Sequence, residues 1–75
     1  MKNVSRLKEL RRAKGYTQIT VQMLTGIDQS DYSKIESGKR YMSFSQCRAL
    51  ALALDTSMDY LAEITDEKTP YPRNK

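Results

Sequence analysis

Apolar residues recur at every third or fourth position along most of this chain, in short stretches separated by polar ones. Val4, Leu7 and Leu10 form a first stripe, Val21 and Leu24 a second, and Tyr32 and Ile35 a third. Phe44, Cys47, Leu50, Ala51 and Leu54 form a fourth, and Leu61 and Ile64 a fifth. That spacing brings apolar side chains onto one face of an α-helix, and no stretch shows the period of two that a half-buried strand needs. Gly15, Gly26 and Gly38 each close one of the first three segments, where a helix C-cap calls for a positive φ. Asn3, Thr17, Asp28, Ser43 and Ser57 stand at the starts, with side-chain oxygens suited to accept free backbone N–H groups, and Ser43-Phe-Ser-Gln46 fits a capping box. Five short helices are predicted, over about 4–14, 18–25, 29–37, 44–54 and 58–64. The fold class is all-α, one small domain over residues 1–65. The remainder, DEKTPYPRNK after Thr65, carries two prolines, five charges and no apolar period, so residues 66–75 are expected to be a flexible tail. Tyr71, between Pro70 and Pro72, offers the alternative of docking on a partner protein.

Only Gly26, Ile27 and Asp28 separate the second predicted helix from the third. A link of three residues containing glycine sets two helices at a steep angle, which makes the pair a helix-turn-helix. Ile27 is expected under the turn and Asp28 at the N-cap of the third helix, with the next residues projecting outward. The outward residues are Gln29, Ser30, Asp31, Ser33 and Lys34, mostly short polar groups where a merely solvated helix would carry long Lys and Glu. A DNA major groove accepts one α-helix, and short polar side chains near its N-terminus reach base edges. Gln29 is the first candidate reader, because one amide both donates to and accepts from an adenine edge. Ser30, Ser33 and Lys34 follow at helical spacing.

Several pieces of the sequence bear on family. They are Leu7-x-x-Leu10-Arg11, Gly15-Tyr16-Thr17-Gln18, Gly26-Ile27-Asp28-Gln29-Ser30, Ile35-Glu36-Ser37-Gly38-Lys39-Arg40, and Leu50-Ala51-x-Ala53-Leu54 before Met58-Asp59-Tyr60-Leu61. In this order and spacing the chain resembles the phage repressor and Cro-type helix-turn-helix proteins, the xenobiotic-response-element family, over about residues 4–64. The resemblance implies a compact five-helix bundle of the lambda-repressor-like kind, whose third helix enters double-stranded DNA. It also implies that Gln18 binds a backbone phosphate and braces the reader. The start of the second helix, with Thr17, favours an anion by dipole and by geometry. Lys39, Arg40 and Ser43 are the matching phosphate candidates on the other side, with Tyr41 a weaker one. Arg6, Lys8, Arg12 and Lys14 are left as long-range or solvent-facing charge. Family members pair an Arg and a Glu at the positions of Arg11 and Glu36, so a structural salt bridge is inferred there rather than a DNA contact.

Four positions depart from the family pattern. Gln22 replaces the usual Ala at the close approach of the two helices and must bend outward or bond across the gap. Asp31 adds an acid to the reading helix, which either accepts from a cytosine amino group or caps the helix start, and capping is the favoured role. Met42 stands in place of a common proline. Leu52 occupies a normally polar position and, with Met58 and Tyr60, forms a candidate surface for a homodimer; a monomer is the alternative. Two-fold pairing would set two reading helices about one DNA turn apart and imply a palindromic site.

Composition narrows the remaining classes. The chain has 75 residues, no His and one Cys, so neither an internal disulfide nor a soft metal site is expected, and no cofactor. Its net charge of +4 is uneven, +5 over residues 1–40 against −2 over 41–65, which suits a polyanion at the first half. Neither a signal-peptide run nor a membrane-length apolar segment is present, so a cytoplasmic location is expected. Without His, a Gly-rich phosphate loop or a carboxylate cluster, an enzyme is not expected. A sequence-specific regulator of transcription, acting as a small repressor, is the leading reading. The alternative is an antitoxin or other interaction module on the same fold, binding a protein partner through its C-terminal half or tail.

Overall fold

Five helices form on the apolar stripes, and the residues at their ends explain where each begins and stops. In the computed structural model, which describes residues 6–70, they are α1 (Arg6–Ala13), α2 (Gln18–Thr25), α3 (Gln29–Glu36), α4 (Phe44–Ala53) and α5 (Met58–Leu61). No strand occurs among the described residues. Asn3, Val4 and Tyr71 lie outside them.

Thr17 accepts the Thr20 N–H on its hydroxyl at 3.1 Å and donates its own N–H to Thr20 Oγ1 at 3.4 Å, a capping box closed by Thr instead of Glu. Ser43 and Gln46 close a second box at 3.1 and 2.9 Å. The Asp28 carboxylate accepts both the N–H and the hydroxyl of Ser30, and Ser57 accepts the Tyr60 N–H at the start of α5. Gly26 ends α2 at φ +79° and donates its N–H to the Gln22 carbonyl at 2.8 Å. A Cβ there would meet no atom within 4 Å, so the left-handed backbone, not crowding, demands glycine. Two stops were not visible in the pattern. Asp55 after α4 and Glu63 after α5 turn the chain at φ 58° and 65° without glycine, and α5 ends at Leu61 rather than near residue 64.

Val21, Tyr32, Leu50 and Leu54 are wholly buried at the centre, surrounded by Leu7, Ile27, Ile35, Cys47, Ala51, Tyr60 and Leu61. α2 packs on α3 and α4, α4 on α5, and α1 on α5. Three expected core residues stay exposed: Leu24, Phe44 and Ile64. α2 buries a narrow face centred on Val21, and Leu24 falls beside it. Phe44 opens α4 just beyond the loop, and Ile64 comes after α5 has ended.

Tyr60 corrects the candidate dimer surface. It is only 5% exposed, one turn from Ser57 and facing inward, and its ring lies 4.3 Å beneath the Arg6 guanidinium. Arg6 is likewise not a diffuse surface charge: it donates to the carbonyls of Tyr60 and Thr65, each at 2.7 Å, and to the Asp66 carboxylate at 2.8 Å. Residues 66–70 have no regular structure but fold back on the bundle, where Lys68 offers its carbonyl to the buried Thr56 hydroxyl at 2.7 Å. Among the described residues no helix is long and apolar enough to cross a membrane.

Candidate nucleic-acid interface

α3 turns Tyr32, Ile35 and Glu36 inward. Its remaining positions divide by helical angle. Ser30 and Lys34 point most directly away from the core, Gln29 and Ser33 lie on the flank toward α2, and Asp31 lies on the flank toward α4. Ser30 and Lys34 are exposed, Gln29, Asp31 and Ser33 half-buried. The outer face of α3 is therefore uncovered by the rest of the described chain.

A continuous polar network ties that face to the core. Glu36 is 7% exposed and accepts from Arg11 Nε at 2.8 Å and Nη2 at 3.2 Å, from the Tyr32 hydroxyl at 2.7 Å, and from Gln18 Nε2 at 2.9 Å. Arg11 also donates to the Tyr16 carbonyl at 2.9 Å, so one guanidinium joins α1, α3 and the link into α2. Burial raises the affinity of the Glu36 carboxyl for a proton, yet the hydrogen bonds from Arg11, Tyr32 and Gln18 outweigh it and hold the group below the usual carboxylate range. The same burial, with the Glu36 charge beside it, pushes the Tyr32 hydroxyl far above its ordinary range, so it remains a donor.

A carboxylate can only accept, which fixes the polarity of everything attached to it. Gln18 must point its Nε2 at Glu36 and so turns its Oε1 outward, where it accepts from Gln29 Nε2 at 2.7 Å. Gln29 is left with its Oε1 acceptor and its second Nε2–H, the pair a bidentate contact to adenine requires. Gln22 fills the gap between the helices by accepting the Gln29 backbone N–H at 2.6 Å, the second of the two outcomes open to it. Gln29 is thereby held at both backbone and side chain. The sequence leaves Gln22 two outcomes and does not carry the length of this network, because each link depends on an interhelical distance that the pattern does not contain.

The phosphate candidates flank this face unequally. At the α2 start the capping box takes the N–H groups of Thr17 and Thr20, leaving those of Gln18 and Ile19 outside both cap and helical ladder. Lys39 is fully outward. The Ser43 hydroxyl is engaged as the α4 N-cap. Arg40 is bound by Asp31 at 2.6 and 2.7 Å, which also corrects the capping role expected of Asp31, since Asp28 caps α3 alone. Tyr41 is exposed and keeps only its carbonyl engaged, by Arg40.

Comparison with known proteins agrees with this geometry. A family model described as helix-turn-helix matches residues 7–61. The crystal structure of the restriction-modification controller protein C.AhdI from Aeromonas hydrophila is similar at 43% identity and a TM-score of 0.71, covering 75% of this chain and 85% of that one. No curated protein matches the sequence. The chain belongs to the helix-turn-helix family of the xenobiotic-response-element type, and it is a DNA-binding regulator.

Proposed function

We propose that the protein is a small cytoplasmic repressor that reads one duplex sequence by placing α3 in the major groove and blocks transcription by occupying that site. The observation that carries the reading is the Gln29 amide, anchored through Gln18 to a buried carboxylate while keeping one donor and one acceptor unspent. A side chain held in this way loses little rotamer freedom on binding, so more of its hydrogen-bond energy becomes discrimination. Ser30, Ser33 and Lys34 contact neighbouring base edges. Thr17, Gln18, Lys39 and Ser43 take phosphates on either side, fixing register rather than sequence. Likeness to a restriction-modification controller makes restriction-modification genes the first setting in which to look for the site.

Selection of bound sequences from a random duplex pool tests this directly. The wild-type chain is expected to yield a defined motif, and Gln29→Ala to lose preference at one position, a change of about 1–3 kcal/mol against the wrong base. An unaltered motif in that variant overturns the role of Gln29.

The chain also pairs, in this reading, as a two-fold dimer. Leu52, half exposed on α4, and the partly buried Met58 remain as the surface once Tyr60 is assigned to the core. Sedimentation at micromolar concentration is expected to show a dimer that Leu52→Glu dissociates. A monomer in both samples removes the claim.

A further inference from the structure

Asp31 puts a negative charge on the helix assigned to a groove walled by phosphates. It does not cap that helix. Instead it holds Arg40, in the loop before α4, by a two-pronged pair: Nε to Oδ1 at 2.6 Å and Nη2 to Oδ2 at 2.7 Å. Nη2 also reaches Gln46 Oε1 at 3.2 Å, and Nη1 donates to the Tyr41 carbonyl at 2.6 Å. A guanidinium has five N–H groups, and these bonds direct four of them to protein acceptors. Gln46 completes the ring by donating to Asp31 Oδ2 at 3.1 Å, while its own Oε1 accepts the Ser43 N–H in the α4 capping box. The pair is not a buried core bridge like that of Arg11 and Glu36, whose side chains are 13% and 6% exposed; here the figures are 37% and 34%, within reach of an arriving polyanion.

A carboxylate, like a phosphate, offers a guanidinium two anionic oxygens spaced to accept a bidentate pair. Being part of the chain, it costs no association entropy. A cation neutralised in this way pairs with no DNA phosphate, so it displaces none of the counterions condensed on the duplex. We propose that Asp31 serves Arg40 as a built-in substitute for a DNA phosphate, withholding one cation from the nucleic acid and thereby setting the strength and salt sensitivity of binding to any duplex. This rests on the assignment of α3 to DNA. Gln46 strengthens the device by holding both members in place, and the depressed proton affinity of Asp31, caused first by the Arg40 hydrogen bonds, keeps it anionic.

The test uses the whole chain and a labelled mixed-sequence duplex of about 20 base pairs, titrated between about 50 and 200 mM salt. Asp31→Asn preserves shape and removes charge. It is expected to tighten binding to this duplex and to steepen the log–log salt slope by about 0.9, the value for one more phosphate contact, so that its advantage over wild type shrinks about 3.5-fold across the range. Adding Arg40→Gln to Asp31→Asn is expected to restore the wild-type slope, and Arg40→Gln alone to leave it unchanged. The proposal is overturned by an unchanged slope or weaker binding in folded Asp31→Asn, or by a base preference altered at one position. A slope flattened by Arg40→Gln alone also overturns it, and this second variant decides the matter if melting shows Asp31→Asn to be unfolded. A wild-type chain that binds no duplex at about 50 mM salt overturns the DNA reading and this inference together; the other negative results overturn this inference only.

Discussion

Among the acids of the described residues, Glu36 accepts the most hydrogen bonds and is the one that is buried. Buried with Arg11, Tyr32 and Gln18 as donors, it cannot lose its main partner without leaving a charge stranded. Arg11→Ala should therefore cost about 3–5 kcal/mol, roughly 12 °C or more in melting temperature for a domain of this size; a loss no larger than that from an exposed arginine would reject the buried pair. Acid should act through the same group. Its carboxyl holds a proton less tightly in the fold than in the unfolded chain, where 4.5 is ordinary. The unfolded state thus takes up the proton first, so the contribution is complete above about pH 4.5 and is lost as pH falls through the lower folded value. Melting temperature should fall as pH drops below that point, and Glu36→Gln should be less stable at neutral pH but less sensitive to acid. The family resemblance already suggested the pairing of Arg11 with Glu36. The resemblance also gave Gln18 the role of bracing the reader; that both glutamines join the Glu36 network was not legible, because residues eleven positions apart become neighbours only through the angle of the turn.

At the scale of the elements, starts were more legible than stops. Thr17, Asp28, Ser43 and Ser57 all cap the helices they precede, because an N-cap is a local bond between a side chain and a backbone group two or three residues on. Stops at Gly15, Gly26 and Gly38 were equally local. Those at Asp55 and Glu63 were not, since both residues are exposed and nothing in either side chain demands the left-handed backbone it adopts. Gly26 offers a clean measurement of the local term. Open space surrounds the site for a Cβ, so Gly26→Ala should cost about 1–2 kcal/mol through backbone conformation alone and Gly26→Asn less, by denaturant unfolding. Equal effects of the two substitutions would mean that the turn relaxes out of its positive φ. The exposure of Leu24 and Phe44 was hidden for another reason: apolar spacing identifies a helix face, while which edge of that face is covered depends on neighbours distant in the chain.

Across the whole molecule, the outer face of α3 belongs to the basic first half of the chain, while α4 and α5 belong to the mildly acidic second half. Charge counted along the sequence located the first of these, yet it overstated the free cations. Arg6, Arg11 and Arg40 are all committed within the protein, which a composition count cannot register. In the proposed function, α3, braced from α2, is the surface that meets DNA. Amide chemical-shift mapping of the isotopically labelled chain with its selected duplex measures it most directly. Shifts are expected to concentrate at Thr17 and Gln18, at residues 29–34, and in the side-chain amides of Gln18 and Gln29, with Leu52 and the α5 residues little changed. Shifts gathered on α4 and α5, with the Gln29 side-chain amide unmoved, would contradict it.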